Sequence, residues 1–360
     1  MGLWFPPTGD KKPREFAGLQ GSSGGDEGDR TLDLRIANAT LSQLSYVPRR
    51  PRIVARAPNA FNSTSRGTLP RPPILRLHMK YTIEFCEREY NNRALIPEHP
   101  QIFARWAESG AMTRRLRPCL VDLPYGDTAG EKLDLFPARH DGAPLLVFIH
   151  GGYWRSLDKG DFSWLAPPFV NHGVSVALLN YGLAPHTPIE EMVRQTLRAL
   201  AWLYRGADRY GFDPNRMVVA GHSAGGHLTA MAMAALWPQL AADLPVDLVK
   251  GGMSISGVHD LEPLIYAPFV NADLQLDRAR ARRLSPIHLP PATNAPLYTA
   301  VGGLESSEFL RQNQLLTDAW KSVLVRDIPM PGFNHLNVVD ELANPASPLF
   351  DAAMAMVRST

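Results

Sequence analysis

Cysteine is nearly missing from this chain: 360 residues hold two, Cys86 and Cys119. Two thiols cannot build a disulfide framework, and they offer no metal-ligand spacing, so both read as plain buried or half-buried thiols in a reducing compartment. Long apolar runs are missing too. None approaches the ~20 residues that would cross a bilayer. Met1 to Asp10 lacks the charged-then-apolar design of a secretory leader. A cytoplasmic protein with no membrane partner is the expectation. Concentrated positive charge is also absent from the body of the chain, despite a net charge of +2. Residues 1–78 carry 12 Lys/Arg against 6 Asp/Glu, whereas residues 79–360 carry 25 against 29. The body therefore has no basic stripe for nucleic acid.

What is present changes character near residue 79. Before it, Gly21-Ser22-Ser23-Gly24-Gly25 and the Pro/Arg-rich run from Pro48 to Pro73 hold no sustained period of 2 or 3.6. Such a segment buries too little apolar surface to offset its ordering entropy. The run from Asp29 to Tyr46 also resembles the translated reverse strand of a transfer-RNA gene. Residues 1–78 are thus expected to be a disordered or wrongly assigned extension, with Met79 opening the protein and one domain covering 79–360.

From there, short apolar runs alternate with helix-compatible stretches. Strands are expected at Lys132–Phe136, Leu145–Ile149, Val174–Leu179, Met217–Ala220, Gly251–Ile255, Leu297–Val301 and Val323–Ile328. Helices are expected at Ile102–Ser109, Ile189 to Arg209, Leu228–Leu236, Ser307–Trp320 and Ala352–Val357. In the second of these, Met192, Thr196, Leu200, Leu203 and Ala207 recur at three- and four-residue steps. Asp213-Pro214 reads as a loop, and Gly257 to Pro291 as irregular. The alternation predicts an α/β fold, a mostly parallel sheet with helices on both faces and a small irregular cap.

Within this frame, Val218 to Ala220 runs into Gly221-His222-Ser223-Ala224-Gly225 and then into a helical segment. A strand–turn–helix context is what makes Gly-x-Ser-x-Gly a nucleophile elbow. In parallel sheets the working groups gather beyond the carboxyl ends of strands. Such ends here carry Ser223, His150-Gly151-Gly152-Tyr153, Glu305 and His335, and the order Ser, acid, His is that of α/β-hydrolases. Acyl transfer needs a base to take the serine proton, which His335 supplies, and a carboxylate to hold the imidazole tautomer. Glu305 is the candidate acid, with Glu308, Asp327 and Asp260 as rivals. Backbone N–H groups of Ala224, Gly152 and Tyr153 are the candidate oxyanion donors. His150 reads as structural, and His222 and His227 as lining or packing the elbow. Trp154, Tyr181 and Phe333 adjoin these loops and are candidates for lining a substrate pocket.

His150-Gly151-Gly152-Tyr153-Trp154 together with Gly221-His222-Ser223-Ala224-Gly225-Gly226-His227-Leu228 resembles the kynurenine formamidase (arylformamidase) branch of the hormone-sensitive-lipase-like α/β-hydrolases. Ser256 to Pro263, Ser285-Pro286 and Glu305 to Gln312 agree with it, and the similarity runs from about Tyr81 to the C-terminus. The position of Glu305 is commonly Asp in that family. Lipase-like relatives carry a third glycine at Tyr153, as the formamidase branch does not. The resemblance implies hydrolysis of an N-formyl aromatic amine, with a small-molecule substrate and no metal or cofactor. A short-acyl carboxylesterase is the rival reading, and a non-catalytic hydrolase-fold binding protein a further one. A homodimer through a helix or edge strand is a guess from relatives.

Overall fold

The computed structural model describes residues 81–360, so the expectations for residues 1–78 and for Met79 lie outside the described residues. Eight strands form one sheet: β1 (Leu120–Pro124), β2 (Lys132–Phe136), β3 (Ala143–Ile149), β4 (Ser175–Leu179), β5 (Phe212–His222), β6 (Gly251–Ile255), β7 (Leu297–Gly302) and β8 (Leu324–Met330). Their spatial order is β1-β2-β4-β3-β5-β6-β7-β8. β2 is antiparallel to β1 and β4, and the pairings from β4 across to β8 are all parallel.

The central strands are apolar throughout because both faces are covered. In β3, Leu145, Val147 and Ile149 point into one core, while Leu146 and Phe148 point into the other. β5 repeats the pattern with Met217 and Val219 on the first side and Val218 and Ala220 on the second. Around the sheet lie α1 (Ile83–Tyr90), α2 (His99–Leu116), α3 (Ile189–Tyr210), α4 (Ala224–Met233), α5 (Pro268–Leu274), α6 (Arg278–Arg283), α7 (Ser307–Ala319) and α8 (Pro348–Arg358). On α3, the five residues picked out by spacing, Met192, Thr196, Leu200, Leu203 and Ala207, are all buried. That helix stops at Gly211, whose φ of 76° suits glycine. α4 is apolar all round and every one of its residues is buried, as a helix enclosed by the core must be.

Three stretches differ from their sequence reading. β5 begins at Phe212 and runs through Asp213-Pro214, because Phe212 pairs with Ala143 and an irregularity follows before Met217 pairs with Leu145. Proline is tolerated there because a bulge spares its missing N–H. β1 carries little apolar signal: it is a short edge strand with exposed Val121 and Asp122. The segment after β6 is helical rather than irregular, with a 3-10 turn at Glu262–Tyr266 followed by α5 and α6. Its prolines open helices, where φ near −65° is already helical. Asp277 caps α6 by accepting from Arg280 N at 2.7 Å. Val270, Leu274, Ala281 and Leu284 anchor this cap in the core beside α4.

Cys86 is fully buried and Cys119 half-buried, and both are free thiols. Burial, with Glu308 adding to it, pushes the Cys86 thiol up to about 11. It is an inert packing group. Among the described residues, no helix is long and apolar enough to cross a membrane.

Candidate active site

β5 ends at His222, and the chain reverses at once into α4, leaving Ser223 at φ 56°, ψ −117°. A side chain held in that region is strained, and the fold must over-determine it. Here the restraint is visible: Ser223 N–H donates to the Ile255 carbonyl of β6 at 2.8 Å. Glycine at 225 is obligatory, since a Cβ there would overlap the Ile149 carbonyl of β3.

The Ser223 hydroxyl lies 3.0 Å from His335 Nε2, and His335 Nδ1 lies 2.6 Å from Glu305 Oε2. Glu305 is itself held. Its other oxygen, Oε1, accepts from Gly302 N–H at 2.7 Å and from the Ser256 hydroxyl. With a carboxylate facing Nδ1, that nitrogen carries the proton, and Nε2 is left to accept from Ser223. Each rival acid is engaged elsewhere. Glu308 accepts from Tyr90 and pairs with Arg311, Asp327 accepts from Thr299 and Asn313, and Asp260 faces Arg311.

His222 has a role that spacing did not reveal. Its Nε2–H donates to the backbone carbonyl of His335 at 2.7 Å, tying the His335 loop to the turn at Ser223. Burial, reinforced by the neighbouring His335, pulls the His222 pKa down to about 3, so its imidazole is neutral. His227 bonds the Leu284 carbonyl at 2.7 Å and packs edge-on against Trp154; its pKa is lowered by burial to about 4. His150 is buried between Tyr181, stacked at 4.6 Å, and Phe162, and meets the Asn180 side chain at 2.9 Å.

The turn after β3 runs through three consecutive left-handed residues, Gly152 (φ 103°), Tyr153 (φ 52°) and Trp154 (φ 56°). Successive residues of this kind turn their N–H groups to one side and make an anion-binding concavity. Among the described residues, no backbone acceptor takes the N–H of Gly152 or Tyr153. Ala224, the first residue of α4, has an N–H with no intrahelical acceptor.

A narrow cleft of about 50 Å³ opens over Ser223 and His335. Tyr153, Phe269, Phe103 and Leu336 supply its apolar lining. Trp154, Tyr181 and Phe333 do not line it. Trp154 and Tyr181 are fully buried, and Phe333 packs against the opposite core. The ring of Tyr153 faces the cleft instead, edge-on to Phe269 at 5.6 Å, and its hydroxyl donates to the Tyr90 carbonyl. That bond brings in α1. The Tyr90 hydroxyl donates to Glu308 at 2.7 Å, and Ser306 Oγ donates to the Glu89 carbonyl at 2.6 Å. α1 thus braces both the Gly152–Trp154 turn and the loop that carries Glu305.

The BD-FAE family model matches residues 133–242. Kynurenine formamidase of Salmo salar is 30% identical over 249 residues, covering 66% of this chain and 81% of that one. The chain belongs to the kynurenine formamidase family. The Drosophila melanogaster member is 26% identical over 274 residues, covering 73% of this chain and 89% of its own. A candidate thioesterase from Silicibacter sp. superposes with a TM-score of 0.65 at 31% identity, over 73% of this chain and 96% of that one. Esterase B of Lactobacillus rhamnosis shares the fold, with a TM-score of 0.55 at 19% identity over 73% and 94%. The protein is a hydrolase of the α/β-hydrolase fold.

Proposed function

We propose that Ser223, His335 and Glu305 form a catalytic triad that removes the formyl group from N-formyl aromatic amines, N-formylkynurenine being the natural substrate. The observation that carries this is the unbroken line of hydrogen bonds from the Ser223 hydroxyl through His335 to Glu305. The kynurenine formamidase relatives support the choice of formamide.

Ser223 Oγ attacks the formyl carbon while His335 Nε2 takes its proton. The carbonyl oxygen becomes an oxyanion between the N–H groups of Gly152, Tyr153 and Ala224. The intermediate collapses, the C–N bond breaks, and the imidazolium returns its proton to the arylamine nitrogen. A water, deprotonated by the same imidazole, then attacks the formyl ester, releasing formate and restoring Ser223. Glu305 stabilises the imidazolium in both halves. Tyr153 crowds the acyl side, which favours a formyl group, while Phe103 and Phe269 give an aryl leaving group flat apolar surface.

The two unpaired thiols support a reducing, cytoplasmic setting. Short-acyl ester hydrolysis is the second reading, favoured by esterase relatives such as carboxylesterase NlhH of Mycobacterium tuberculosis, 33% identical over 178 residues. Purified enzyme is expected to cleave N-formylkynurenine with a far higher kcat/KM than p-nitrophenyl butyrate. The reverse order would discard the formamidase assignment. Labelling by an activated phosphonate, abolished by Ser223→Ala, separates either enzyme from a non-catalytic binder.

A further inference from the structure

One buried side chain outside the triad bonds to the supports of both the acid and the turn after β3. Gln312, on α7, is fully buried. Its Oε1 accepts two consecutive backbone N–H groups, those of His259 and Asp260, each at 2.7 Å. Its Nε2 donates to the Asp260 carbonyl at 2.8 Å and to the Tyr90 hydroxyl at 2.9 Å. An amide side chain has two donors and two acceptor lone pairs, and all four are used. Exchanging its oxygen and nitrogen would set two N–H groups against an NH2, so the partners settle its orientation. Among the described residues, no backbone carbonyl takes the N–H of His259 or Asp260, so Gln312 serves that loop as a neighbouring strand would.

Two paths lead from this amide to the chemistry. The first runs to the acid. His259 and Asp260 follow Ser256, the left-handed residue (φ 51°) directly after β6, whose hydroxyl donates to Glu305 Oε1. Glu305 directly precedes Ser306, the N-cap of the helix that carries Gln312. Ser256 and Glu305 thus sit on two segments that Gln312 joins, and the register between those segments decides where the carboxylate meets His335. The second path runs to the turn. The Tyr90 hydroxyl accepts from Gln312 and donates to Glu308 at 2.7 Å, while the Tyr90 carbonyl accepts from the Tyr153 hydroxyl. A fully satisfied buried network specifies one arrangement, because any other leaves its members unpaired.

We infer that Gln312 is a positioning residue for acyl transfer: it hydrogen-bonds to no triad member, and it holds Glu305 and the Gly152–Trp154 turn in one fixed relation. The inference rests on the triad reading and extends its machinery to α7 and to the loop after β6. The role needs an amide, since a carboxylate lacks the two donors and a thioether lacks the whole set.

Gln312→Met keeps the length of the side chain and removes all four bonds. Its kcat is expected to fall about 10²-fold, the scale of a misplacement near 1 Å, with KM within about threefold of wild type. The factor should be the same for N-formylkynurenine and for p-nitrophenyl butyrate, because the shared machinery is what shifts. Gln312→Glu retains the two acceptor bonds and should recover part of the loss. Double-variant cycles locate the path. In a Ser256→Ala or a Tyr153→Phe background, Gln312→Met should cost less than it does alone, whereas an effect on folding would multiply unchanged. Tyr90→Phe cuts only the branch toward α1; it should cost about tenfold in kcat and couple to Tyr153→Phe but not to Ser256→Ala. That variant carries the test if Gln312→Met fails to fold. A folded Gln312→Met enzyme with kcat within about threefold of wild type overturns the inference, whatever its melting temperature. So do strictly multiplicative cycles, or a loss confined to one substrate. Ser223→Ala, measured alongside, keeps the two readings apart. If it retains turnover, the triad reading falls; an inactive Ser223→Ala beside fully active Gln312 and Tyr90 variants sinks the positioning role alone.

Discussion

Replacing Glu305 by Gln should cost about four orders of magnitude in kcat while leaving the fold and KM nearly unchanged. The size of the loss comes from which atoms surround the carboxylate. Oε1 is claimed by two donors, Gly302 N–H and the Ser256 hydroxyl, so in Glu305→Gln that position must be filled by the amide oxygen. The amide nitrogen is then left facing His335 Nδ1, where Oε2 now sits at 2.6 Å. Two N–H donors cannot face each other, so the imidazole moves its proton to Nε2 and presents a donor, not an acceptor, to Ser223. An enzyme with the wrong tautomer and no buried counter-charge for the imidazolium loses roughly 10⁴ in turnover, about 5.5 kcal/mol of transition-state stabilisation. Steady-state formate release from N-formylkynurenine, with a thermal melt as the folding control, measures it. Glu305→Asp keeps the charge at a shorter reach and should retain more activity than Glu305→Gln. A drop of less than tenfold in Glu305→Gln, with the melt unchanged, would show that Glu305 does not set the tautomer.

Three further outcomes are expected. His222→Leu removes the N–H that holds the His335 carbonyl, and kcat should fall about tenfold with phosphonate labelling slowed alike; His222→Gln, which keeps a donor, should recover part of it. His222, His227 and His259 are buried with pKa values lowered by burial to about 3, 4 and 3. Unfolding lets each bind a proton below its ordinary value, so their contribution is complete above about pH 6.5 and is lost as pH falls toward 4. Each adds up to about 1.4 kcal/mol per pH unit in that window. Urea midpoints should drop steadily from pH 7 to pH 5, and a flat profile would contradict neutral burial. Gly225→Ala places a methyl on the Ile149 carbonyl and should destabilise by more than about 3 kcal/mol, visible as a lowered melting temperature or insoluble expression.

How much of this could be read beforehand follows from where the signal resides. Ser223, Glu305 and His335 sit beyond the carboxyl ends of strands; β5 and β7 end in apolar runs, whereas β8, with Arg326 and Asp327 exposed, is legible mainly by its place in the alternation. The structure brings the three side chains into one hydrogen-bonded line. Ser256 and His222 act through contacts of 49 and 113 positions in sequence, which no local period encodes. Trp154 and Tyr181 were drawn to the cleft by adjacency, yet left-handed backbone at Gly152 to Trp154 turns the tryptophan into the core and leaves Tyr153 facing the substrate space. The cap helices were hidden by their prolines, which read as breakers in sequence but stand at helix starts in the structure.

The brace made by α1 has a consequence for biosynthesis. Tyr90 waits for Glu308, 218 positions further on, and Glu89 waits for Ser306, 217 further on. A ribosome emits this helix early and its clasps late. An unfinished polypeptide therefore holds Ser223 without His335 and with α1 unclasped, so on the proposed triad hydrolytic competence arrives only when the last third of the molecule has left the tunnel.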